Sequence, residues 1–264
     1  MGLIKPGHRY SFSQLSQFNE CPFSFYLLRI EEDDLGMTRQ QTGEEEDNAF
    51  SQYGTLMHSI LERWAKKELD IEELPYVWEE EYDRNITKPW PRFLSAKGYA
   101  EKAYKEGYDY LKNFDGFYGF TVLAAEQKFT TTIAGKPFVG VIDLLLENNE
   151  TGEMYIVDHK SKSKSAFKKS AEDMYKQIIL YSKFVYEKYG RFPDVMMFNL
   201  FKEQIYDERK FDKRLYAETL KWAEDTINKM ETFDIIDWLE AKDPDFFCQN
   251  ICSVRAFCDN GKKK

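Results

Sequence analysis

The chain has 264 residues, enough for one large domain or a domain with an appended subdomain. Apolar residues make up 42% and aromatic residues 16%, with only 14 glycines and 8 prolines, which excludes a disordered or fibrous chain. The formal net charge of −9 argues against a protein that coats nucleic acid non-specifically, although a local basic groove stays possible.

No apolar run approaches the ~18 residues that a membrane helix needs. The opening Met-Gly-Leu-Ile-Lys-Pro has no secretory apolar region, and Pro6 spoils a myristoylation match. The expectation is a soluble, intracellular, cytoplasmic protein with no membrane partner.

Residues 1–10 read as an extended arm. Ser11 or Ser13 can cap a helix running to about Arg29, with Leu15, Phe18, Phe25 and Leu28 at helical spacing. Pro22 predicts a break near Cys21. Residues 31–47 are polar, with the acidic run Glu44-Glu45-Glu46-Asp47, and read as a loop. A helix is expected from about Asn48 to Glu68, placing Gly54 and His58 one turn apart on one face. Two further helices follow, over 71–86 and 92–114, separated by Pro89 and Pro91.

The apolar period then changes from 3.6 to 2. Residues 121–133, 136–147 and 153–160 read as three strands of a meander. A helix spans 166–189 and ends at Gly190. Residues 194–201 and 203–207 read as strands, 213–239 as a helix, and the tail from Pro244 as irregular. This order of elements fits the α/β (α+β) class. Three regions are expected: an N-terminal helical region over 1–115, a core over 116–240 and a cysteine-bearing tail over 241–264.

The chemistry concentrates in the meander. Gly140-Val141-Ile142-Asp143 and Tyr155-Ile156-Val157-Asp158-His159-Lys160 are apolar runs that each carry an aspartate with no packing use. A two-residue turn at Ala134-Gly135 would set Glu126 opposite Asp143. A turn centred between Glu150 and Thr151 would set Asp143 opposite Asp158. Directly opposed residues share a face, with Cβ atoms about 4.5–5.5 Å apart, and Lys160, two residues on from Asp158, shares it too. Three acids and a lysine would line one strip of sheet.

Clustered carboxylates repel unless a cation joins them. Oxygen ligands suit Mg²⁺ or Mn²⁺, and such a metal beside a lysine suits phosphodiester hydrolysis. From Lys160 to Lys169 the chain holds five lysines and no acid. Of these, Lys162, Lys164, Lys168 and Lys169 are candidate phosphate contacts.

These residues resemble the RecB-type branch of the PD-(D/E)XK nuclease superfamily. The resemblance spans Ser11-x-Ser13-x-Leu15-x-x-Phe18-x-x-Cys21-Pro22, Gly54-Thr55-Leu56-Met57-His58, Glu126, Gly140-Val141-Ile142-Asp143, Asp158-His159-Lys160 and Gln177-x-x-x-Tyr181. It implies a restriction-endonuclease-like core with a mixed central sheet flanked by helices, an N-terminal helical region and a C-terminal cysteine cluster. It further implies that His58, Asp143, Asp158 and the backbone carbonyl of His159 hold the metal. Lys160 would be the catalytic lysine, Glu126 would lie at the edge of the site, and Gln177 and Tyr181 would position Lys160 or the DNA strand.

Cys248, Cys252 and Cys258 cluster at the C-terminal end, with Cys21 more than 200 residues earlier. Four thiolates suit a [4Fe–4S] cluster or Zn²⁺. The resemblance, to AddB-type helicase–nucleases and CRISPR-adaptation exonucleases, favours the cluster. Three residues separate Cys248 from Cys252 where the related pattern has two, which leaves zinc open.

The function these features predict is a Mg²⁺- or Mn²⁺-dependent exonuclease acting on single-stranded DNA or DNA ends in recombination, repair or replication. The alternatives are a non-catalytic nucleic-acid-binding or assembly module of the same fold, and a nuclease subunit active only beside a helicase or recombination partner. The chain carries no phosphate-binding loop of its own.

Overall fold

The computed structural model describes residues 3–44, 49–91, 98–234, 236 and 243–262. Two compact units divide the chain. One comprises 1–47, 130–139 and 217–264, and the other 48–129 and 140–216.

In the first unit the expected break at Cys21 splits the N-terminal helix into α1 (Phe12–Glu20) and α2 (Pro22–Arg29). The Ser11 side chain accepts a hydrogen bond from the Gln14 N–H and caps α1. Cys21 is extended, and Pro22 takes the first position of α2, where its missing N–H costs nothing. The loop expected over 31–47 contains a single helical turn, α3 (Arg39–Thr42), closed by Gly43 in the left-handed region. Glu45, Glu46 and Asp47 of the acidic run lie outside the described residues.

In the second unit α4 (Ala49–Ala65) carries Tyr53, Leu56, Met57, Ile60 and Leu61 on its buried face. It packs with α5 (Leu74–Asn85), which a short 3₁₀ turn over Ile71–Glu73 precedes, and with α6 (Tyr99–Lys112). Their common core holds Trp78 and continues onto Leu144, Leu146, Val157 and Met197 of the sheet. The expected starts of α4 at Asn48 and of α6 at 92 fall outside the described residues, while the helix expected over 213–239 ends at Thr232, before the non-helical Phe233 and Asp234.

The five strands are β1 (Phe120–Ile133), β2 (Lys136–Asn148), β3 (Met154–Lys160), β4 (Val195–Leu200) and β5 (Ile205–Lys210), and they lie side by side in chain order. β3 and β4 are parallel, joined by the long helix α7 (Lys164–Tyr189); β2–β3 and β4–β5 are antiparallel. The sheet is therefore mixed and flanked by helices, as expected. Every residue of β4 is buried, so the strand shows no apolar–polar alternation, and Asn199 is its one polar residue.

Two turns set the register of the meander. Ala134 and Gly135 both have positive φ, 52° and 71°, the mirror-image turn that matches strand twist, although Ala134 pays for it. Between β2 and β3, the Asn148 side chain accepts from the N–H groups of Glu150 and Thr151. The pairing of Leu144 with Val157 through Glu147 with Met154 is the expected one, and it leads up to Asp143 and Asp158, the next residue on each strand.

The first hairpin departs from expectation. Its far end, where Asn149 N–H donates to Gly119 C=O, is one residue out of step with the turn at Ala134-Gly135. β1 thus holds one residue too many, and Glu126, at φ 44°, marks a bulge. A non-glycine in this region costs about 1–3 kcal/mol. Simple alternation does not govern the side chain there.

After β5, the helix α8 (Lys213–Thr232) buries Thr219, Ala223, Thr226, Ile227 and Met230. The tail, expected to be irregular, folds into short turns: α9 (Phe246–Asn250), a 3₁₀ turn over Arg255–Phe257 and α10 (Asp259–Lys262). Among the described residues no helix is long and apolar enough to cross a membrane.

Candidate metal-dependent active site

Four elements of the second unit converge at the end of β3. The helix α4 supplies His58, the bulge in β1 supplies Glu126, β2 supplies Asp143 and β3 supplies Asp158, His159 and Lys160. His58 Nδ1 lies 3.4 Å from Glu126 Oε1 and 3.5 Å from Asp143 Oδ2, while its Nε2 faces the His159 carbonyl at 3.0 Å. Both ring nitrogens therefore meet acceptors, which suits an imidazolium. Burial works against that charge, but the Asp143 carboxylate, the Glu126 hydrogen bond and Asp158 outweigh it and raise the His58 pKa to about 9.

Asp143 accepts the His159 N–H at 2.7 Å. Its pKa is raised by burial and by the neighbouring Asp158 carboxylate, with His58, Lys160 and the His159 N–H pulling the other way. The ligand atoms of His58, Glu126 and Asp143 all lie within 4.8 Å of one another. Donors on opposite sides of an octahedral Mg²⁺ stand about 4.2 Å apart, given Mg–O near 2.1 Å, so small movements would close these three around one cation. The donor set is rich in oxygen, as a hard divalent cation requires.

Asp158, expected among the metal ligands, is engaged on its other side. Its Oδ2 pairs with Lys160 Nζ at 2.6 Å and its Oδ1 accepts from Gln177 Nε2 at 2.9 Å. Lys160 Nζ also donates to Gln177 Oε1 at 3.4 Å, and Gln177 Nε2 reaches the Tyr181 hydroxyl at 3.4 Å. Gln177 and Tyr181 stand one turn apart on α7 and so face β3 together. Burial disfavours the Lys160 charge, yet Asp158 and Asp143 outweigh it and raise its pKa. Glu126, expected at the edge of the site, belongs to the most compact group of donors.

This arrangement can hold a divalent cation between an imidazole and two carboxylates while keeping an ammonium within reach, the equipment of phosphodiester hydrolysis. The sequence model of the PD-(D/E)XK nuclease superfamily matches residues 9–259. The chain belongs to the PD-(D/E)XK nuclease superfamily.

Among solved structures, one similar to this chain is a crystal structure named "Putative exonuclease" from Eubacterium rectale, at 14% identity and a TM-score of 0.42, covering 84% of this chain and 79% of that one. A likeness that distant carries no weight on function. No curated protein matches the chain.

In this PD-(D/E)XK chain the lysine run sits mainly on a helix. The first turns of α7 carry Lys164, Lys168 and Lys169, all exposed, and the Ser163 side chain caps the helix. Lys162 precedes the helix and donates to Ser170 Oγ at 3.1 Å. Burial and the nearby Lys160 lower its pKa.

Tyr175, a residue type that can stack on bases, is instead buried, with its hydroxyl 2.6 Å from Asp207 Oδ1 and the Arg209 guanidinium over its ring.

The first unit gathers all four cysteines. Cys21, Cys248, Cys252 and Cys258 line one pocket with Phe23, Leu27, Phe247 and Val254, and none is in a disulfide. Burial raises the Cys252 pKa, and the three other thiols add to it, as neighbours sharing one pocket do.

Sequence reasoning gave no role to Gly140 and missed Asn199. Gly140 leaves room for aromatic rings: a Cβ there would stand 2.6 Å from the Phe129 ring and 2.8 Å from that of Tyr181. Asn199, fully buried in β4, bonds to the His159 ring. The signal for Asn199 was present, since an amide interrupts the apolar run Val195-Met-Met-Phe-Asn-Leu200.

Proposed function

We propose that the protein is a Mg²⁺- or Mn²⁺-dependent deoxyribonuclease of the RecB-type branch. Its proposed action is exonucleolytic, on single-stranded DNA or DNA ends. The observation that carries this reading is the compact donor set of His58, Glu126 and Asp143 beside a lysine that Asp158 and Gln177 hold in place.

His58, Glu126 and Asp143 would hold the metal, and the His159 carbonyl, 3.0 Å from His58 Nε2, holds the other ring nitrogen. The bound cation would polarise the phosphoryl oxygen and lower the pKa of its water. Lys160 remains an ammonium because its carboxylate neighbours raise its pKa. It therefore serves as a hydrogen-bond donor to the attacking water or to the charge that develops on phosphorus, rather than as a general base. Asp158 and Gln177 keep the ammonium aimed, and the Tyr181 hydroxyl braces Gln177. The exposed Lys164, Lys168 and Lys169, one short segment past Lys160, supply cations for the phosphates flanking the cut.

For the cysteines we propose a [4Fe–4S] cluster. Four thiols lining one pocket match its donor set, and the apolar walls suit a site closed to water. Such a group would tie the tail to the α1–α2 junction, so its binding energy would be folding energy.

Cleavage of end-labelled single- and double-stranded DNA with Mg²⁺, Mn²⁺ or chelator tests the reading, on anaerobically purified wild type, Asp158→Ala and Lys160→Ala. Metal-dependent loss of end nucleotides by wild type alone is expected. Equal cleavage by all three proteins would sink the mechanism. Absence of cleavage by the wild type, with DNA still bound, would favour a non-catalytic binding module. Visible absorbance with stoichiometric iron is expected for the cysteine site, and zinc without iron would overturn the cluster.

A further inference from the structure

We propose that Asn199 is a positioning residue of the metal site, acting through the ring of His159; the inference rests on the metal-binding reading above. Asn199 sits beside His159 in the parallel β3–β4 pairing and is fully buried. Its Nδ2 lies 2.9 Å from His159 Nδ1 and 2.6 Å from the Tyr110 hydroxyl, while its Oδ1 has no hydrogen-bond partner. A buried amide with one end unpaired is unfavourable where an apolar side chain of similar shape would fit. The rest of β4, Val195 to Phe198 and Leu200, is apolar. The amide does what no apolar neighbour could: it holds an imidazole.

The His159 ring is buried, with its centroid 5.6 Å from that of the His58 ring. Held at Nδ1 by the Asn199 amide, the ring keeps one orientation.

That ring is attached to the peptide on which the metal site is built. The His159 N–H donates to Asp143 Oδ2 at 2.7 Å, and its carbonyl faces His58 Nε2 at 3.0 Å. Two of the three proposed ligands are thus oriented by one residue's backbone, and Asn199, itself bonded to the Tyr110 hydroxyl, anchors that residue's side chain. Groups that orient ligands in this way contribute about 10–100-fold to metal affinity.

The test is calorimetric Mn²⁺ binding, with thermal unfolding in parallel, on wild type, Asn199→Leu, His159→Leu and the double variant. Asn199→Leu is expected to weaken Mn²⁺ binding by about tenfold or more. In the His159→Leu background the same change should have no further effect, since the ring it acts through is gone. A folded Asn199→Leu with wild-type Mn²⁺ affinity overturns the proposal. So does a loss that persists undiminished in the double variant, because that is general destabilisation.

If Asn199→Leu does not fold, Tyr110→Phe replaces it. This variant removes the amide's second anchor and should weaken Mn²⁺ binding several-fold, and unchanged affinity would overturn the proposal. A wild type that binds no Mn²⁺ would instead refute the metal reading itself.

Discussion

Gly140→Ala adds one methyl group to the structure at its most crowded point near the site. The new Cβ would stand 2.6 and 2.8 Å from atoms of the Phe129 ring and 2.8 Å from the Tyr181 ring, separations that real Cβ atoms do not adopt. Neither ring can easily retreat. Phe129 stacks on Phe184 with centroids 4.8 Å apart and meets Tyr181 edge-on at 4.9 Å, while the Tyr181 hydroxyl is bonded to Gln177.

Overpacking of this kind costs about 1–3 kcal/mol. Gly140 does not have the positive φ that would strain alanine, so the cost is steric. Displacement of Tyr181 should reach Gln177, and through it Lys160 and Asp158. Denaturant unfolding of the variant should show the stability loss, and cleavage kinetics should show kcat falling more than KM rises. Phe129→Leu in the same chain should return part of both, because it removes the nearer ring. A Gly140→Ala protein as stable and as active as wild type would refute this account of why glycine stands there.

Gly107→Ala should be at least as damaging to stability but neutral to chemistry, since its Cβ would meet the buried Trp78 indole at 2.2 Å; unfolding curves check it. The metal-free protein should lose stability as pH rises from about 6.5 through about 9. The folded His58 pKa lies above its unfolded value, so its contribution is complete below 6.5 and gone above 9, about 3 kcal/mol in all. A pH profile of denaturation no steeper than that of His58→Gln would contradict this. Cys21→Ala should lower both the metal content of the cysteine site and the melting temperature, and full metal content in that variant would count against the shared pocket. Changing Lys164, Lys168 and Lys169 to Glu should weaken DNA binding and flatten its salt dependence by about three phosphate contacts; an unchanged slope would remove them from the interface.

Much of this was legible in the sequence because it is written in short-range terms. Ser11 and Pro22 set the limits of α1 and α2, and Asn148 with Gly152 set the β2–β3 turn that brings Asp143 beside Asp158. The bulge at Glu126 was not legible. A glutamate carries no local preference for positive φ, and the bulge exists because surrounding structure over-determines it.

Hairpin arithmetic set Glu126 opposite Asp143, but alternation along the strand could not say that Glu126 would also meet His58 while Asp158 turned to Lys160 and Gln177. The start expected for α7, residue 166, falls two residues after the observed start at Lys164, which Ser163 caps. The gathering of Cys21 with three cysteines more than 200 residues away is a tertiary fact that spacing alone does not determine.

The central claim is that one divalent cation sits among His58, Glu126 and Asp143. Crystals soaked in Mn²⁺, with diffraction recorded at the manganese absorption edge, test it most directly. The account predicts a single anomalous peak within about 2.2 Å of a nitrogen of His58 and of carboxylate oxygens of Glu126 and Asp143. Its disappearance in Asp143→Asn crystals would complete the case. A peak elsewhere, or none at saturating Mn²⁺ in crystals of an active wild-type enzyme, would contradict it.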